Sequence, residues 1–302
     1  MPESLKLSQE KVSQIEGSSQ LVWTIENRTY ALDFSQVVIM GIINLTPDSF
    51  SDGGLFFEAQ AAINQAKKHL AEGALILDLG AETTRPGSLP TPLEEEWRRL
   101  EPVLTTLAAW PEKPIISVDT NKAEIARRAL LAGAALVNDV YAARNDPAIL
   151  EVCAKFGAPI ILMHMLGQPR TMQVEPRYDD VVGEVRAFLL ERALAAMKAG
   201  VPREKIFLDP GLGFGKNADH NLTLIKHFAQ VIPPGFRRVM ALSRKAFLGK
   251  IIKNPDALKR DAATATATAI SVLKGAEIVR VHNVAPSLEA IEVALAIDRE
   301  GL

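Results

Sequence analysis

Lys122-Ala123-Glu124-Ile125-Ala126-Arg127-Arg128-Ala129-Leu130-Leu131-Ala132-Gly133-Ala134-Ala135-Leu136-Val137-Asn138-Asp139 is the phrase from which the fold is read. Its first part, Lys122–Ala132, is rich in Ala, Leu, Glu, Lys and Arg, which lose little side-chain freedom in a helix. Gly133 follows, and a glycine just past a helix is a common cap because it takes the left-handed backbone without strain. Ala135–Val137 is then short and wholly apolar, the mark of a parallel strand covered on both faces. The strand ends on two polar residues, Asn138 and Asp139.

Working outward, the same order of helix, glycine, strand and polar end recurs. Further strands are predicted at Val37–Ile43, Leu75–Leu79, Ile115–Val118, Pro159–Met163, Ile206–Leu208, Arg238–Leu242 and Glu277–Val281. Ala59–Ala71 and Val181–Ala199 read as helices, and Gly73, Gly200 and Gly275 stand where Gly133 does. Eight strands alternating with helices allow an open doubly wound sheet or a closed barrel. An open sheet gathers its polar motifs near one switch point. Here every strand is followed by one, which favours a single-domain α/β protein, a (β/α)8 TIM barrel whose strand ends share one mouth.

The 302-residue length suits that fold, which typically needs ~250 residues. The barrel is predicted over residues 37–302, and residues 1–36, rich in Ser, Gln, Glu and Lys, as a loosely docked N-terminal extension with a small hairpin. A net charge of −2 and 6% aromatic residues argue against a nucleic-acid partner. The single cysteine, Cys153, excludes an internal disulfide and reads as a buried structural thiol. No signal peptide and no run of apolar residues long enough for a bilayer is visible, so a cytoplasmic protein without a membrane partner is expected.

The chemistry is expected at the strand ends. The first strand runs into Asn44-Leu45-Thr46-Pro47-Asp48-Ser49-Phe50-Ser51-Asp52-Gly53-Gly54, a long polar loop carrying one aromatic residue. The second runs through Asp78 into Glu82-Thr83-Thr84-Arg85-Pro86-Gly87, where a guanidinium after hydroxyls suits an anion. Asp119, Asn138 and Asp209 end three other strands; singly each is weak evidence, and the competing reading is that Asp119 or Thr120 could cap the helix from Lys122. Together they can grip a flat heterocycle with N–H and C=O edges. Ser243-Arg244-Lys245 and Arg280-Val281-His282 add hydroxyl, cationic and imidazole groups, and Arg280 and His282, two apart on a strand, share a face. His164 is open to either a structural or a functional role, while His69, His220 and His227 read as structural.

With these phrases assembled, residues 37–300 resemble the dihydropteroate synthase family, and Leu162-Met163-His164-Met165 and Asp209-Pro210-Gly211-Leu212-Gly213-Phe214-Gly215-Lys216 fall in family order. The resemblance implies that Asp119, Asn138, Asp209 and Lys245 hold a pterin, with Met163 and Phe214 lining its slot. It implies a pyrophosphate site of Asn44, Thr84, Arg280 and His282, with Asn44 also beside a Mg2+. It implies an aminobenzoate site of Phe50, Thr84, Pro86, Ser243 and Lys245. Asp48 and Arg85, in the two loops, join Asp209 and Lys245 as implied catalytic residues. The implied reaction displaces pyrophosphate from a 6-hydroxymethyl-7,8-dihydropterin pyrophosphate by the amine of 4-aminobenzoate, with strong carbocation character, in folate biosynthesis; the family also suggests a homodimer through late barrel helices and a sulfonamide target. The chain departs from the family pattern at Ala81, Thr83, Tyr141, Ala241 and Asn283. Two rivals remain: a methyltransferase of the related pterin barrels, which should lack the pyrophosphate set, and a barrel serving only as a binding partner.

Overall fold

A computed structural model describes residues 19–45, 54–83, 89–167 and 172–301, with the backbone alone at 54–58. The chain enters through an antiparallel hairpin of β1 (Gln20–Ile25) and β2 (Arg28–Asp33), in which Trp23 pairs with Tyr30. The barrel strands follow: β3 (Val38–Asn44), β4 (Ile76–Gly80), β5 (Ile115–Asp119), β6 (Leu136–Asp139), β7 (Ile160–Met163), β8 (Ile206–Asp209), β9 (Arg237–Ala241) and β10 (Ile278–Val281). Between them run α1 (Gly54–Ala71), α2 (Leu93–Ala108), α3 (Ala123–Ala132), α4 (Ala148–Phe156), α5 (Val181–Lys198), α6 (Ala218–Lys226), α7 (Phe228–Val231), α8 (Ala246–Ile251) and α9 (Asp261–Leu273), and α10 (Val284–Asp298) follows the last strand.

The eight strands pair in parallel and close in the order β10-β3-β4-β5-β6-β7-β8-β9, so the predicted barrel is the observed one. Each contributes apolar residues to the interior: Met40, Ile76, Ile116, Leu136, Ile160, Ile206, Val239 and Ile278 are at most 1% exposed. The register sets Gly80 beside Asp119 and Asp119 beside Asn138, while Met163 stands beside Asp209. Partners in register share a face, so the polar ends predicted from separate motifs come level at one mouth. The four predicted cap glycines take positive φ, from 96° at Gly73 and Gly275 to 115° at Gly133.

Two expectations change. The N-terminal segment from Gln20 to Asp33 is not loosely docked. Its alternate residues Leu21, Trp23, Ile25, Tyr30 and Leu32 are buried, Trp23 and Tyr30 stack at 5.6 Å, and Trp23 Nε1 donates to Ala135 O at 2.8 Å. Tyr30 OH donates to Gly133 O at 3.2 Å, and Phe34 meets the edge of Phe207 at the start of β8. The hairpin therefore closes the amino-terminal end of the barrel and leaves the carboxyl end to the site. Nor does Asp119 or Thr120 cap α3. Lys122 holds the cap position, the Ala123 N–H is accepted by Asp146 Oδ2 at 2.8 Å, and Thr120 Oγ1 instead donates to Glu96 at 2.6 Å.

Candidate active site at the barrel mouth

The site is organised around a residue pair that lies 202 positions apart in sequence. Arg280 on β10 donates Nε to Asp78 Oδ2 at 2.6 Å and Nη2 to Asp119 Oδ2 at 2.9 Å. Asn138 Nδ2 donates to the same Asp78 oxygen at 3.1 Å. A guanidinium presents its donors in a fixed plane, so the fork holds two carboxylates on different strands at set positions. Burial works against the Arg280 charge, but the two carboxylates outweigh it and keep the pKa above its usual value. Burial raises the Asp119 pKa, and the neighbouring Asp78 and Asp139 carboxylates add to this against the pull of Arg280.

Asp78 was not assigned a role from sequence. It is fully buried, and its Oδ1 finds no hydrogen-bond partner among the described residues. A carboxylate inside an apolar parallel strand was the signal that could have marked it, because such a group is costly to bury without donors.

The opposite wall carries Asp209 and Lys245. Asp209, 4% exposed, accepts the Gly211 N–H at 2.7 Å, and burial raises its pKa against the attraction of Lys245. Lys245 Nζ bonds Leu212 O and stands 4.7 Å from the centre of the Phe214 ring. Burial pulls Lys245 down to about 8, with Asp209 acting to hold its proton. The Gly211 turn needs glycine: with φ at 65°, a Cβ there would lie 1.8 Å from His164 O.

An apolar wall completes this side. Val140, Met163, Met165 and Met172 form a buried cluster separate from the main core, with Tyr141 and Phe214 packed on it. Met163 and Phe214 thus come together as the resemblance implies, and the departure at Tyr141 adds a ring to the same wall. Asp139 accepts the Tyr141 and Ala143 N–H groups at 2.8 and 2.6 Å, and so fixes the turn carrying Tyr141.

His282 and Ser243 meet at the ends of β10 and β9. Ser243 Oγ accepts the His282 backbone N–H at 3.1 Å and lies 2.9 Å from Nδ1. Burial and then Arg280 push the imidazole down to about 3. A neutral ring whose Nδ1 takes the Ser243 proton carries its own proton on Nε2, a donor suited to a phosphate oxygen. Ser243, implied in the aminobenzoate site, here holds His282. Arg244, with φ at 58°, turns away and binds Asp261 through two bonds of 2.6 and 2.8 Å; Asn283 donates to the same carboxylate at 3.0 Å.

Asn44 ends β3 as its one exposed residue, after six buried ones. Ala241, the departure nearest the slot, is 6% exposed and in register with Arg280. Ala81 is fully buried and its carbonyl accepts from Arg99 at 3.0 Å. Asp48, Phe50, Thr84, Arg85 and Pro86 lie outside the described residues. Sequence reasoning also missed an acidic network around Lys122: its Nζ bridges Glu82 at 2.6 Å and buried Glu96, and Glu82 accepts the Thr91 N–H at 3.1 Å.

The histidines divide as expected for three of them. His69 is fully buried with Nε2 at 3.1 Å from Ile42 O, His220 completes a capping box on α6, and His227 ends that helix. His164, open from sequence, proves structural: its ring packs edge-on against Phe188 at 4.8 Å and contacts Lys216. Cys153 is buried, and burial pushes its thiol up.

Carboxylates and an amide on one side, an ammonium over an aromatic ring on the other, and a neutral imidazole beside a guanidinium define a barrel enzyme of the kind that grips a flat polar ring next to an anionic group. The sequence pattern of the pterin binding enzymes matches residues 40–282. A dihydropteroate synthase of Synechocystis is 44% identical over 261 residues, 86% of this chain and 90% of the relative. The structure of Xanthomonas albilineans dihydropteroate synthase with 4-aminobenzoic acid superposes with a TM-score of 0.82 at 40% identity, covering 89% of this chain and 95% of that one. The Burkholderia cenocepacia enzyme complexed with 7,8-dihydropteroate gives 0.80 at 39% identity, over 90% and 95% of the two chains. The chain belongs to the dihydropteroate synthase family.

Proposed function

We propose that this protein condenses 6-hydroxymethyl-7,8-dihydropterin pyrophosphate with 4-aminobenzoate to give 7,8-dihydropteroate and pyrophosphate. The observation that carries the reading is the Asp78–Arg280–Asp119 array with Asn138, facing Asp209 and Lys245 across one mouth. Asp119, Asn138 and Asp209 supply acceptors and an amide for the edge of a pterin, and Lys245 a cationic donor. Met163 and Phe214 close on its faces. Arg280 and His282 supply donors to the leaving pyrophosphate. Asn44, Thr84, Asp48 and Arg85 are assigned to the leaving-group side and its loops, and Phe50, Thr84, Pro86, Ser243 and Lys245 to the aminobenzoate.

The bond between the pterin methylene carbon and the pyrophosphate oxygen breaks with its electron pair on oxygen, and the arylamine nitrogen takes the carbon. The amine then gives up one proton. No side-chain nucleophile is required. The pterin acceptors hold the ring, and the Asp209 carboxylate stabilises positive charge that develops on it. Arg280 and the His282 Nε2–H stabilise the departing anion.

A Mg2+ fits this donor set. Among the described residues no three His, Cys, Asp or Glu side chains gather to hold a metal. Mg2+ usually keeps several waters and is bound through one or two carboxylates together with substrate phosphates; the exposed Asn44 at the strand end would add an amide oxygen to such a set. When bound, it would neutralise charge on the leaving pyrophosphate.

We place the enzyme in the cytoplasm, where its charged substrates are soluble; none of the described helices is long and apolar enough to cross a membrane. We take it to act as a homodimer, through the apolar residues exposed on α9 and α10. The test of function is release of pyrophosphate by the purified protein. Release is expected only with both substrates present; none with both, or equal release without the arylamine, overturns the assignment.

A further inference from the structure

Lys216 closes the Gly-rich turn after β8 and is 3% exposed, and its Nζ bonds no carboxylate among the described residues. Lysine is rarely buried to this extent without a partner of opposite charge. Its Nζ instead donates to Gly211 O at 2.9 Å and Phe214 O at 3.0 Å, and lies 2.8 Å from His164 Nδ1, which accepts when the ring proton sits on Nε2.

Both carbonyls belong to the turn that also faces the site. Between them sits Leu212 O, which bonds Lys245 Nζ. The same turn is fixed by Gly211 N on Asp209, by Gly213 N on Asn221 Oδ1 at 2.7 Å, and by Tyr178 OH on Gly215 O at 2.9 Å. A Cβ on Gly213 would lie 3.2 Å from Lys245 Cδ, so turn and lysine are in close contact. One ammonium holds the turn at Leu212 and another at Gly211 and Phe214.

We propose that Lys216 is a positioning residue for the pterin site, which clamps the Gly211–Phe214 turn against His164 and so sets where Lys245 and Phe214 stand. The inference rests on the pterin reading above. His164 supplies the fixed end of the clamp: its ring is held by Phe188, and burial and then Lys216 push it down to about 2, so that a neutral Nδ1 is available. Burial likewise draws Lys216 well below the usual lysine value. Neither residue is placed in contact with substrate.

Lys216→Met removes the donors and keeps an unbranched chain. Calorimetry with 6-hydroxymethylpterin and, separately, inorganic pyrophosphate reads two sides of one mouth. The expected result is pterin affinity reduced roughly tenfold or more, since small displacements of binding groups have large effects, with pyrophosphate affinity unchanged. The KM for the pterin substrate should rise in step. His164→Gln, which keeps an acceptor, should lose less than His164→Leu. Should Lys216→Met fail to fold, Lys216→Arg is read the same way, with the pterin side again losing more. A folded variant with wild-type pterin affinity, or one in which both affinities fall equally, overturns the proposal. If the wild-type protein binds no pterin, it is the functional assignment that fails.

Discussion

At the scale of single residues, the decisive group is Asp78. It is fully buried, and Arg280 is its charged partner. Removing one member of a buried pair leaves an uncompensated charge, which typically costs roughly 3–5 kcal/mol. Arg280→Met should therefore destabilise the protein by about that much in urea unfolding. Adding Asp78→Asn should recover part of the loss. Strict additivity of the two changes would contradict the pairing. Lys245 carries a second prediction. Its folded pKa is depressed to about 8, so the free enzyme loses this positive charge as pH rises through that value. The kcat/KM for the pterin substrate should fall on the alkaline side there, and Lys245→Met should abolish that limb. A wild-type profile flat through that pH and on to the ordinary lysine range, ~10.4, would contradict a required Lys245 ammonium that titrates near 8. Asp119, Asn138 and Asp209 were legible because each ends an apolar run, and Lys245 because it belongs to the polar Ser243-Arg244-Lys245 phrase that follows one. Asp78 and Lys216 were not: a carboxylate within an apolar strand marks Asp78 as unusual, but its partner, like those of Lys216, lies on other elements.

At the scale of elements, the strands were legible from short apolar runs and the helix ends from glycine. What stayed hidden was where the N-terminal hairpin goes. The sequence predicts only a loosely docked extension with a small hairpin, whereas its docking is decided by carbonyls of Gly133 and Ala135, more than a hundred residues on. Those two carbonyls lie at the amino-terminal end of the barrel, where α3 gives way to β6, and Trp23 and Tyr30 reach both. Trp23→Ala removes a 2%-exposed ring, its stacking on Tyr30 and its hydrogen bond, and should cost about 3–5 kcal/mol. The site lies at the other end, so kcat at temperatures where the variant is folded should be unchanged. A variant that loses kcat while keeping its unfolding midpoint would place the hairpin in the catalytic cycle instead.

At the scale of the molecule, a closed barrel explains why residues from Asp78 to His282 converge although no two motifs are neighbours in sequence. It also leaves a surface to be accounted for. Helices α9 and α10 pack side by side and expose Ile270 and Leu273 on one, Val293 and Ile297 on the other, from 46% to 74% exposed. Monomeric proteins rarely expose contiguous apolar patches of large area, and a two-fold axis would let each patch cover its copy. The wild-type protein should therefore sediment as a dimer, and Val293→Lys with Ile297→Lys should give a folded monomer. All the described site residues come from the strand ends and turns of one chain, while Val293 and Ile297 lie in the second half of α10, away from the Asn283 end that joins the Arg244 turn. The monomer should thus keep the wild-type kcat. A wild type that sediments as a monomer removes the interface. A monomeric variant that has lost kcat would instead show that the partner completes the site.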